Sequence, residues 1–194
     1  MGKKIWVLLL VAFAMSLTNG VFAATVNLPQ TGQTKCYNAA GAEIACSGTG
    51  QDGEKLQGVI SPTQRFTVSG SCVTDSLTGL MWSKDGNLPV GSKTWQQSLD
   101  YVASINSGGG LCGYTDWRLP NVNELLSLVN FGQSNTATWL NTQGFLNVQA
   151  GYYWSSSAYA GATNNAWRVY MWDGSVGADG KGNSNYVWPV RAGQ

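Results

Sequence analysis

The chain has no histidine among its 194 residues, and that sets the terms for any chemistry it could do. Serine or cysteine nucleophiles activated by imidazole, and imidazole proton shuttles, are excluded. Carboxylates are what is left. Glycoside hydrolysis, for example, needs two of them held about 5 to 10 Å apart. The ten acids are Glu43, Asp52, Glu54, Asp75, Asp85, Asp100, Asp116, Glu124, Asp173 and Asp179, scattered with no spacing that selects a pair. The stretch richest in oxygen ligands is Asp173-Gly174-Ser175 followed by Asp179-Gly180, Asn183 and Asn185. Hard cations such as calcium take ligands of this kind. The spacing matches no EF-hand, however, and Asp-Gly turns joining strands are the simpler reading. The expectation is a non-catalytic protein with no cofactor, calcium being the one metal its composition would suit.

The same third of the chain carries a different chemistry. If Ala166 to Trp172 is a strand, Trp167, Val169 and Met171 fall on one face and Arg168, Tyr170 and Trp172 on the other. The first face reads as core. The second either meets a ligand, since arginine and aromatic rings are favoured at binding hot spots, or is buried under a loop or a second sheet. Around it lie Ser155, Ser157, Tyr159, Asn164, Asn165, Asp173, Ser175, Asn183, Asn185 and Tyr186. Small polar groups and tyrosines of this type build adaptable binding loops. Together these residues form the candidate ligand site.

Elements must position them. From Arg65 the pattern is of short strands, Phe66-Thr67-Val68, Cys72-Val73-Thr74 and Leu80-Met81-Trp82, separated by turn formers. A helix follows in which Trp95, Leu99, Val102 and Ile105 recur at helical spacing, with Thr94 and Gln97 as a capping box and Gly108 as terminator. A second begins after Pro120 with Asn121 as N-cap, Glu124 three residues on, and Val122, Leu125, Leu126 and Val129 as its apolar stripe. After a Gly/Asn/Thr-rich connection come strands at Tyr152 to Ser156, Ala166 to Trp172, Ser175-Val176 and Val187 to Arg191. Strands, two helices, then strands predicts an α+β fold: two helices packed on short antiparallel strands, with the N- and C-terminal strands adjacent.

The beginning of the chain reads as an export signal. Lys3 and Lys4 precede an apolar run from Ile5 to Leu17 and a small-residue stretch ending Val21-Phe22-Ala23. The run is too short for a bilayer span of roughly 20 residues, so residues 1–23 read as a cleaved signal peptide. Residues 24–61 form a leading irregular segment and 62–194 the main domain. The protein is then expected in the periplasm, secreted or at the cell surface, with no membrane insertion after cleavage. Eleven basic and ten acidic residues, two of the basic ones in the signal, leave no positive field to attract nucleic acid. Export also bears on the four cysteines, since disulfides persist outside the cytoplasm. Three connectivities exist. Cys36 and Cys46 flank a turn-containing stretch that can fold back as a hairpin, which favours Cys36 with Cys46 and Cys72 with Cys112.

Five motifs in order carry a family resemblance: Leu77-Thr78-Gly79-Leu80-Met81-Trp82, Cys112-Gly113-Tyr114-Thr115-Asp116-Trp117-Arg118-Leu119-Pro120, Glu124-Leu125, Tyr153-Trp154-Ser155-Ser156-Ser157 and Trp188-Pro189-Val190-Arg191. Over roughly Phe66 to Ala192 the chain resembles the Lcl C-terminal domain family. That resemblance implies a C-type lectin-like fold, like that of formylglycine-generating enzymes, whose last third displays a ligand surface. It also implies adhesion as a role and an extracellular glycan or protein as partner. In the family's naming example the ligand is a sulfated polysaccharide; this chain departs by lacking the positive charge such a ligand favours. Formylglycine-generating chemistry would need cysteines near the C-terminus, where this chain has none. A structural role in a cell-surface or filament assembly, with self-association through the same aromatics, is the alternative expectation.

Overall fold

A computed structural model describes residues 28–193. The signal peptide and cleavage position expected within residues 1–23 lie outside the described residues. The leading segment pairs β1 (Cys36–Tyr37) with β2 (Glu43–Ile44) as a small antiparallel hairpin closed by the Cys36–Cys46 disulfide, followed by a single helical turn, α1 (Asp52–Lys55). This segment docks on the rest of the molecule. The Phe131 amide donates to the Thr31 carbonyl at 2.8 Å, and a Cβ on Gly132 would collide with the Gly32 carbonyl, so only glycine lets the two backbones come this close.

Four strands build the first sheet in the order β3 (Phe66–Ser69), β4 (Cys72–Asp75), β5 (Leu80–Ser83) and β9 (Val190–Ala192), all antiparallel. The last strand returns to the early part of the chain, with Leu80 opposite Ala192 and Trp82 opposite Val190, so early and late strands share a sheet as expected, although the partner of β9 is β5 and the earlier β3 lies at the opposite edge. The pairing covers less of the last strand than its apolar run suggests. Val187, Trp188 and Pro189 are buried outside the ladder. Here tertiary burial, rather than strand pairing, accounts for their hydrophobicity.

Both expected helices form. In α2 (Trp95–Ser107) Thr94 and Gln97 make a reciprocal capping box and the Gly108 amide bonds back to Ser104. In α3 (Val122–Ser127) Asn121 and Glu124 do the same. Two further helices correct the expectation of two. Besides α1 there is α4 (Thr136–Thr142), capped by the Asn135 side chain, within the stretch expected to be a connection. Its sequence, rich in β-branched Thr and lacking charge, has weak helix propensity. Burial of Ala137 and Leu140 in the core, and amide bonds from Thr136 to Trp172 O and from Ala137 to Met171 O, hold it.

The second sheet is β6 (Tyr152–Ala158), β7 (Asn165–Tyr170) and β8 (Val176–Gly180) in that order. Two buried clusters use its two faces. Tyr153, Val169 and Met171 join Trp82, Trp188, Phe145, Leu125, Leu128 and Leu140 in one core. Trp154 and Ala166 join Val102, Trp117, Leu119 and Val187 in the other, under α2. Consecutive residues Tyr153 and Trp154 therefore point into different cores, as the two-residue strand period requires. The Cys72–Cys112 disulfide ties β4 to the loop after α2. Among the described residues no helix is long and apolar enough to cross a membrane, and two disulfides are compatible with an oxidising compartment.

Candidate functional site

Strand β7 ends at Tyr170, two residues earlier than its alternation suggests, and the chain turns through residues 171–174. Val169 and Met171 lie in the core as expected, while Trp167 is half-buried with its ring edge-on to Tyr159 at 5.0 Å. On the opposite face Tyr152 pairs with Tyr170 and Trp154 with Arg168. One end of this face lies under α2. At the other end Tyr152, Arg168 and Tyr170 are half-buried.

These three form a stack. The Tyr152 and Tyr170 rings lie 4.6 Å apart at 28°, and the Arg168 guanidinium sits 3.8 Å over Tyr152, the geometry of a cation–π contact. Asp179 anchors the arginine: its Oδ2 is 2.8 Å from Arg168 Nη1. The same carboxylate accepts from Asn183 Nδ2 at 2.7 Å, from Asn185 Nδ2 at 3.3 Å and from the Gly180 amide at 2.9 Å. Asn185 Oδ1 accepts from Arg168 at 3.2 Å. Arg168 Nε is buried without a partner. Burial by itself would raise the Asp179 carboxyl; the Asn183 and Asn185 amides and the Arg168 charge outweigh it and leave the pKa below the ordinary carboxylate value.

The candidate residues are thus divided by the fold. Arg168, Asn183 and Asn185 come together around Asp179, and Tyr170 joins Arg168 through the Tyr152 ring. Trp172 is the most open of the aromatics, 48% exposed, but lies in the turn beyond the strand. Asp173 in that turn accepts from the Ser175 amide at 2.8 Å, and the Ser175 hydroxyl and amide hold its carboxyl below the usual range. Gly174, at φ +81°, completes the turn. Asn164 is exposed and Asn165 half-buried at the start of β7. Tyr186 stacks on Tyr153 at 5.4 Å. Two serines serve the scaffold. Ser155 is fully buried, its hydroxyl donating to the Trp167 carbonyl at 2.6 Å, and Ser157 Oγ accepts from the Val122 amide at the start of α3.

Two residues of this surface are not evident from the sequence. Tyr152 and Asp179 are central to the stack and its anchor. Only strand pairing brings them together. The oxygen-rich stretch does not gather as a cation cage: Asp173 closes a turn and Asp179 faces a guanidinium. Among the described residues no group of three or more Cys, Asp or Glu stands close enough to hold a metal.

The fold and this surface define a disulfide-linked α+β domain with an aromatic–arginine stack on an otherwise polar face. The chain belongs to the Lcl C-terminal domain family, whose model matches residues 71–191. No curated protein matches it.

Proposed function

We propose that this chain is an exported, non-catalytic recognition module that binds an extracellular glycan or protein through the face bearing Tyr152, Arg168 and Tyr170, with Trp172 beside it. The observation that carries the reading is the half-buried stack, whose ring faces are only partly covered. Planar rings in van der Waals contact present rigid area at low entropic cost, and the one arginine among them has its charge matched by Asp179. Such a surface suits a ligand recognised by ring faces and neutral hydrogen bonds. In this reading the scaffold is C-type lectin-like, its paired terminal strands and helices framing a smaller sheet that displays the ligand face. The protein then works in the periplasm, at the cell surface or outside the cell.

The test is a glycan array and a surface-protein binding screen with the full chain, expressed into an oxidising compartment, beside its Tyr170→Ala/Trp172→Ala variant. A ligand retained by the wild type and lost by the folded variant supports the reading; unchanged binding moves the site elsewhere. A second reading, an assembly subunit, draws on strand β8. It ends its sheet, and Val176 on it is 43% exposed, an edge of the kind that pairs with another chain. Size-exclusion chromatography separates the two, since self-association with no ligand favours assembly.

A further inference from the structure

A second concave surface lies where the leading hairpin meets the loop between α3 and α4. Gln33, Thr34, Lys35, Tyr37, Phe131 and Gln133 line a cleft of about 260 Å³. Tyr37 and Phe131 are 47% and 46% exposed, large aromatic surface that neither core uses. Both are held in place. Tyr37 sits beside the Cys36–Cys46 disulfide, and Phe131 rests against Gly174, where a Cβ would come within 3.0 Å of its ring. The loop itself is fastened to the leading segment by the Phe131 to Thr31 hydrogen bond.

The lining narrows the ligand class. Lys35, the only charged residue among these six, has its Nζ 2.7 Å from Glu43 Oε2, so the adjoining carboxylate offsets the one positive charge that would favour an anion. An extended peptide would need a free backbone edge. Here the Gln51 side chain closes that edge, accepting from the Tyr37 amide at 3.0 Å and donating to the Tyr37 carbonyl at 2.9 Å. What the cleft offers is two aromatic surfaces, two primary amides and the hydroxyls of Thr34 and Tyr37. The volume is just under the roughly 300–1,000 Å³ typical for drug-sized ligands, a size suited to a single small ring.

We propose that this cleft is a binding site for a neutral sugar ring, with the C–H face of a pyranose against Tyr37 and Phe131 and its hydroxyls on the Gln33 and Gln133 amides. The site is separate from the Tyr152–Arg168–Tyr170 face and stands whether or not that face binds anything. It also gives the leading segment a role, since four of these six lining residues precede the family domain.

The experiment titrates the full chain, expressed into an oxidising compartment, with chitotriose, cellotriose, maltotriose and mannotriose by saturation-transfer NMR and calorimetry. At least one trisaccharide binds, and Tyr37→Ala and Phe131→Ala each weaken it about tenfold or more, the scale of losing a central aromatic contact. Tyr37→Phe, which keeps the ring, retains binding, and unchanged melting temperatures show that the alanine variants are folded. Tyr170→Ala leaves this binding intact. No binding to any of the four sugars overturns the proposal, as does binding indifferent to both alanine variants. Loss in Tyr170→Ala alone also overturns it, and assigns the sugar to the C-terminal face instead.

Discussion

Replacing Asp179 by Asn tests the anchor of the aromatic–arginine stack directly. The carboxylate accepts three hydrogen bonds at 2.7 to 3.3 Å and forms an ion pair with Arg168, Nη1 to Oδ2 at 2.8 Å. An amide keeps the shape but turns one acceptor into a donor facing other donors. Arg168 would keep only Asn185 Oδ1, since its Nε has no partner already. Hydrogen bonds to a charged group contribute about 1.5 to 3 kcal/mol. With side chains 24% and 16% exposed, partial screening places the loss near 2 kcal/mol. For a domain of this size that is a fall in Tm of about 4 to 8 °C. The pH dependence supplies the sharper check. Asp179 has its folded pKa below the ordinary 3.8, so its contribution is full above that value and is lost as pH falls through the lower folded pKa. The gap between wild type and Asp179→Asn is therefore widest near neutral pH and closes in strong acid. Scanning calorimetry of both proteins from about pH 7 to about pH 2 measures it. A gap under about 1 °C at neutral pH, or one that stays constant through the acid range, refutes the reasoning.

Two further perturbations probe the frame. Arg65 makes a bidentate pair with fully buried Asp75, at 2.8 and 2.7 Å, and also reaches the Ser127 carbonyl. Arg65→Ala leaves that buried carboxylate without its counter-charge, holding only the Leu77 amide at 3.0 Å and the Thr78 hydroxyl at 2.8 Å, and should cost about 3 to 5 kcal/mol, a Tm loss of at least about 6 °C; a loss under about 2 °C would show that those two donors and water compensate it. Of the two disulfides, Cys72–Cys112 closes a separation of 40 residues and Cys36–Cys46 one of 10, about 4 and about 3 kcal/mol on the chain-entropy model. Denaturant unfolding of the paired serine variants should show the main transition shifted far more by Cys72→Ser/Cys112→Ser, which crosslinks the core, than by Cys36→Ser/Cys46→Ser. Equal shifts would mean that the leading hairpin unfolds together with the domain.

Much of this protein is local, and the local part is readable from its residues. Thr94 with Gln97 and Asn121 with Glu124 mark two helix starts because each cap is satisfied within four residues. Cys36 and Cys46 flank their own hairpin, and the alternation around Trp167 and Val169 places a strand. The order of those elements is enough to bring the last strand back beside the first sheet. Tertiary structure decides what local patterns cannot carry. Helix α4 exists because Ala137 and Leu140 find a core. Strand β7 stops at Tyr170 because the chain must turn there for Met171 and Trp172 to receive the start of α4. Tyr152 meets Tyr170, and Arg168 meets Asp179, through strand register and the packing of side chains across the sheet. Those partners are distant in the chain, so no periodicity records them, and the surface they build is a property of the folded sheet alone.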